Sequence, residues 1–337
     1  MLSYMKTLPL VVVVLMVAPS CVGQADGPGG GSSVDGGAGD VDASGNETDA
    51  NPNAPDARPG ATDAGTSQAE CYTEVANPNA DITDLVASYG GANWKDELIA
   101  VMTRRHPATA FLLNAQRNDS YFSQFSDSNS WTGMVGWLDT LSHEETHLFN
   151  AYHAQSVGKT SSVFFREDLI LYPPTISTFA RSEIHDDIAQ SARDGIYAST
   201  YLTGSSGERG FEALVDEQSC YLNELAAVGL VGEHFNGGVS LRDGSVAFLY
   251  FMQVYLRVAR TEYPAIYNQL KGSEVYREIV KTQWLRTHYF LPYADAFPNL
   301  GINDGTYRTL MHQPENMAEI SMFIGQTVNA SNCVQTQ

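Results

Sequence analysis

The chain has 337 residues, with 39 acidic and 19 basic side chains and a formal net charge of −20. That length suits one large domain or two ordinary ones. A surface this acidic repels phosphates, which excludes nucleic acid as a partner and leaves neutral or cationic peptides as compatible ones.

In chain order, residues 1–21 predict an export signal: Lys6 precedes the apolar run Leu8 to Val17, which is too short to span a bilayer. The run ends in Ala18-Pro19-Ser20-Cys21, which resembles the lipobox of bacterial lipoproteins, although Ala18 stands where Leu is more usual. The resemblance implies cleavage before Cys21, a lipid anchor on its thiol, and an exported protein tethered to the bacterial cell envelope. Residues 22–70 contain no aromatic residue, Leu or Ile, and segment 24–70 holds nine acids against one base. Such a composition cannot bury enough surface to offset chain entropy, so it reads as a disordered linker.

Residues 71–337 are ample for a single core. Helical spacing of apolar residues, in threes and fours, marks segments 94–105, 107–116, 131–157, 177–201, 208–230, 243–262 and 273–290. One strand-like stretch, Val163 to Tyr172, ends at Pro173-Pro174. The expected class is therefore mainly α (α+β) with a small β element. Cys71 and Cys333 stand at the two ends of this region, where a disulfide would tie the termini together, whereas Cys220 lies in an apolar helical stretch and reads as a buried free thiol; the sequence alone also leaves open a pairing of Cys220 with either of them.

The segment His143-Glu144-Glu145-Thr146-His147 fits the HExxH pattern. Two His one turn apart project from the same side of a helix, so both imidazoles can reach one zinc ion, and Glu144 can lie beside the metal-bound water as general base. Along this helix Met134, Leu138, Leu141, Leu148 and Tyr152 form one stripe, expected to pack on the core. Gly136, Thr140, His143, His147, Asn150 and Ala154 form another, expected to floor a cleft.

A catalytic zinc usually takes a third protein ligand, and two positions compete. His153 makes a longer pattern with Asn150, but the helical spacing continues to Gly158 and would carry His153 off the face of the other two. The alternative is Glu217, with Tyr221 one turn on and able to donate to a ligand carboxylate or a developing oxyanion. Glu224 is its backup, and Glu212 and Asp216 read as solvated. His185 falls at an exposed helix start, and His106, His234, His288 and His312 stand alone.

The run His143-Glu-x-Thr146-His147-x-x-Asn150, then Val163-Phe164-Phe165-Arg166-Glu167, then Asp216-Glu217-x-x-x-Tyr221 resembles bacterial HExxH proteins of the gluzincin type. The resemblance spans about residues 130–230 and implies a zincin-like helical domain. Zinc would be held by His143, His147 and Glu217, Glu144 would be the base, and the substrate would be a peptide or protein. Tyr221 stands where many gluzincins carry an Asp. Two readings from other classes are a surface lipoprotein with a structural or vestigial zinc site, whose closed shell would need a fourth protein ligand, and a metal-free binding module.

Overall fold

The helices Trp94–Arg105 and Pro107–Gln116 form at the expected positions. The first carries Asp96 and Glu97 in its first turn and Arg104 and Arg105 in its last, which complements the helix dipole. The second opens on Pro107, whose missing N–H costs nothing at a first helical position. This computed structural model describes residues 69–336; the export signal, Cys21 and all but the end of the linker lie outside the described residues.

The described chain is mainly helical with little strand, as its composition and spacing predict. Segment 131–157 breaks at Gly136-Trp137 into Trp131–Val135 and Leu138–Ser156. The longer helix stops where expected: Gly158 takes a φ of +67°, and the Lys159 N–H turns back to the Ala154 carbonyl at 2.8 Å. Three further long helices follow, Phe211–Gly229, Leu241–Glu262 and Glu274–Asp295. Leu241–Glu262 is buried along most of its length and packs against the other two.

Two expectations need correction. Segment 177–201 is not one helix but the short pieces Arg181–Ile184, Gln190–Arg193 and Ile196–Tyr201. Its apolar spacing is interrupted by Asp186-Asp187 and Asp194-Gly195, residues that favour turns. The single strand over 163–172 is a hairpin, Val163–Arg166 paired antiparallel with Leu169–Leu171. Helices Pro264–Gly272 and Pro314–Ile324, each opened by a proline, were not anticipated. A second small sheet joins Glu70–Cys71, Cys333–Thr336 and Gln326–Val328 in that order. Within it Cys71 and Cys333 face each other and form the expected disulfide, and Cys220 is free and buried. Among the described residues no helix is long and apolar enough to cross a membrane.

Two of the histidines that the sequence leaves solitary have a partner in each other: the Nε2 atoms of His288 and His312 lie 2.9 Å apart. His106 belongs to a buried clamp. Its Nε2 meets Glu74 Oε1 at 2.8 Å, Arg286 donates to the same carboxylate through Nε at 2.7 Å and Nη2 at 3.1 Å, and the Tyr72 hydroxyl donates at 2.6 Å. The clamp fastens the segment after the disulfide to helix Glu274–Asp295. Burial opposes the charge on Glu74, but Arg286 and His106 outweigh it and hold the carboxyl well below the usual carboxylate range.

Removing Glu74 leaves Arg286 charged and buried without its counter-ion, with the Asn223 amide oxygen as a remaining acceptor. Glu74→Ala should therefore lower the unfolding free energy by about 3–5 kcal/mol, read from urea denaturation. Because the folded pKa is depressed, the stability tied to this group is fully present above the unfolded value of about 4.3 and drains away as pH falls below it. Glu74→Gln should flatten that acid limb; an acid limb identical to wild type would show that Glu74 is not held ionised by its partners.

Candidate metal centre

Helices Leu138–Ser156 and Phe211–Gly229 pack face to face, and the cluster lies in their seam. His143 and His147 stand one turn apart on the first. On the second, Asp216, Cys220 and Glu224 recur every fourth residue and so share one ridge. His143 Nδ1 meets Glu224 Oε2 at 3.0 Å, and His147 Nδ1 meets Asp216 Oδ2 at 2.6 Å. The helices therefore run antiparallel, and each imidazole is turned by a carboxylate behind it.

With both Nδ1 atoms so held, both Nε2 atoms point the other way, toward one oxygen. Glu217 Oε2 lies 3.6 Å from His143 Nε2 and 3.5 Å from His147 Nε2. These separations are too long for good hydrogen bonds, and Oε2 is buried with no hydrogen-bond partner. Two donor atoms each about 2.0–2.1 Å from one tetrahedral ion stand roughly 3.3 Å apart, close to the spacing seen here. The fully buried Arg181 faces the other carboxylate oxygen, with Nη2 3.9 Å from Glu217 Oε1. Its Nε donates to the Ser206 carbonyl at 2.9 Å, and its guanidinium lies over the Tyr201 ring.

The neighbouring hairpin braces the seam. The Phe164 N–H donates to Asn150 Oδ1 at 2.9 Å, and its carbonyl accepts from Ser219 Oγ at 3.1 Å and Asn223 Nδ2 at 3.3 Å. Asn150 Nδ2 in turn donates to Asp216 Oδ1 at 2.8 Å, so the backbone of one residue, Phe164, ties both helices and, through Asn150, the carboxylate that holds His147.

Electrostatics reflect the crowding. Burial works against charging His143, but Glu217 and Glu224 outweigh it and raise its pKa to about 9. Burial likewise opposes the charge on His147, yet the Asp216 carboxylate against its Nδ1 raises its pKa above the ordinary value. Glu217 is disfavoured as an anion by burial and is nevertheless held low by the two imidazoles. Burial pushes Glu224 up to about 7 and the Cys220 thiol well above its usual value.

Of the residues singled out from the sequence, the fold brings together His143, His147, Glu217 and Glu224. Glu144 is half-buried beside them, near enough that its charge helps raise Glu224. The Tyr221 and His143 rings pack edge to face, 4.6 Å between centroids, but the Tyr221 hydroxyl bonds to that of Tyr201 at 2.7 Å rather than to a carboxylate. His153 lies apart, stacked on Phe149 with Nε2 2.7 Å from the Tyr172 hydroxyl, because the helix continues through it. His185 pairs with its neighbour Asp186.

Asp216, read as solvated, is half-buried and orients His147. The expected stripes also shift. Tyr152 is 51% exposed rather than packed, and His143, Asn150 and Ala154 are buried against neighbouring structure instead of flooring an open cleft. Sequence reasoning missed Arg181 and the proximity of Cys220 to the histidines. A nitrogen of His143, a nitrogen of His147 and Cys220 Sγ lie within 4.8 Å of one another. Cys220 carried a readable signal, since it stands midway between Asp216 and Glu224 on their ridge; Arg181 carried none. Comparison of the chain with known protein families, curated proteins and solved structures finds no match.

Gly244 of the adjacent helix leaves room for Tyr221: a Cβ there would lie 2.2 Å from Tyr221 Cδ1. Gly244→Ala should cost about 1–3 kcal/mol in denaturant unfolding by forcing the ring against His143. Unchanged stability would mean that the ring is free to shift.

Proposed function

We propose that the chain is a zinc-dependent hydrolase acting on peptide bonds, with Zn2+ held by His143, His147 and Glu217. One observation carries this reading: two imidazole Nε2 atoms converge on an unpartnered, buried carboxylate oxygen, at separations suited to a shared ion and not to hydrogen bonds. The carboxylates behind both Nδ1 atoms support it, since an outer carboxylate is the usual means of fixing the tautomer and direction of a metal-bound imidazole. Charge is compatible with it. Asp216, Glu217 and Glu224 crowd this seam; without a metal, protonated His143 and His147 offset them, and a dication would take over that charge once both imidazoles are neutral and free to coordinate.

Bound there, zinc would supply a Lewis acid and an acidified water. Glu144 takes the proton of the attacking water and passes it to the leaving amine. Glu224 and Asp216 keep the imidazoles aimed, and the Arg181 charge faces the other oxygen of Glu217. Tyr221 borders His143 and is proposed to support the developing oxyanion, which requires its hydroxyl to leave Tyr201. For the chain as a whole we propose export and a lipid anchor at Cys21, with a peptide or protein as substrate.

Zinc measured on the purified full chain after dialysis should approach one ion per molecule. His143→Ala should abolish it, and negligible metal in folded wild type that added zinc does not restore would end this reading. Glu144→Gln should retain zinc and lose cleavage of a quenched-fluorescence peptide library; full activity in that variant would remove Glu144 as base. Asp216→Ala should weaken zinc binding about 10–100-fold without unfolding the domain, measured by chelator competition.

A further inference from the structure

We infer that Cys220 is a fourth protein ligand of the ion held by His143, His147 and Glu217, so that the resting site is closed by a thiolate. The inference rests on the zinc reading above and concerns how that site is regulated.

Three observations carry it. Asp216, Cys220 and Glu224 are successive members of one helical ridge, and the outer two each grip the Nδ1 of one histidine. Cys220 stands midway between them on that ridge, and its Sγ lies within 4.8 Å of a nitrogen of each histidine. The second observation is independent of the cysteine. Glu217 sits one turn before Cys220 on the same helix, and its buried, unpartnered Oε2 is aimed at the same two histidines, which marks the place as one built for an electrophile. Third, Cys220 is fully buried and unpaired while Cys71 and Cys333 form a disulfide. Its thiol thus stays available for coordination, shielded from oxidants in solution.

Coordination exchanges the S–H bond for a metal–sulfur bond and releases one proton to solvent; nothing is oxidised. Two imidazoles, a carboxylate and a thiolate complete a tetrahedral shell suited to zinc and leave no position for water. Hydrolysis then requires Cys220 to leave the ion. The cysteine acts as an internal latch, and its soft sulfur also selects zinc over magnesium, calcium or manganese.

The test is zinc X-ray absorption on the full chain, supported by cobalt substitution. A zinc–sulfur shell at about 2.3 Å, beside nitrogen and oxygen at about 2.0–2.1 Å, is expected in wild type. The cobalt form should show a sulfur-to-cobalt charge-transfer band in the near ultraviolet. Cys220→Ser and Cys220→Ala should retain one metal ion, lose the sulfur shell and the band, and cleave the peptide library faster than wild type. Metal bound to wild type with nitrogen and oxygen neighbours alone would overturn the latch and leave the zinc site standing. A folded wild type that binds neither zinc nor cobalt would overturn both. Should either variant fail to fold, the wild-type spectrum still decides.

Discussion

The antiparallel register between helices Leu138–Ser156 and Phe211–Gly229 is the constraint on which the site depends. Glu224 holds His143 and Asp216 holds His147, so a shift of either helix by one turn would break both contacts at once. A hydrogen bond between a buried imidazole and a carboxylate is costly to break because each partner would be left desolvated and unpaired. The pair of contacts therefore sets register and imidazole direction together. The hairpin secures the same register from the side, since the Phe164 backbone bonds to Asn150 on one helix and to Ser219 and Asn223 on the other.

Within that seam, polar groups lie where the surrounding helices are otherwise apolar. Phe211–Gly229 is buried along nearly its whole length and packs on Leu241–Glu262, itself sealed on most sides. Low polarity strengthens every charge interaction in the seam and penalises any group left without a partner. Nearly all of the cluster is paired; Glu217 Oε2 and Arg181 Nη1 are not. The ion proposed between the histidines would relieve the first. Beside His143, the Tyr221 ring packs on both Tyr201 and Phe248.

Away from the seam, the domain is held by devices that share no residue with it except through Asn223. The Cys71–Cys333 disulfide joins its two ends, and the Glu74 clamp carries the chain from that disulfide into the core. Arg286, the centre of the clamp, also donates to Asn223 Oδ1 at 2.8 Å, on the helix that carries Glu217. Termini, clamp and candidate site are therefore mechanically continuous.

The sequence by itself determined the helical class, the boundaries of Trp94–Arg105 and Pro107–Gln116, the stop at Gly158 and the placing of His143 and His147 on one face. Each follows from local spacing or from the conformational preference of one residue, which needs no knowledge of neighbours in space. It also singled out Glu217, which meets both imidazoles, and put Cys71 and Cys333 at the two ends of the domain, where they pair. Only the tertiary structure decided that Asp216 and Glu224 stand behind the imidazoles, that Cys220 comes near both of them, that Tyr221 spends its hydroxyl on Tyr201, and that Arg181 faces Glu217. Those roles arise from the register of two helices far apart in the chain and from a segment, 177–201, whose turn residues override its helical spacing. Periodicity reports which side of a helix is apolar, but not which residue of another helix will meet it.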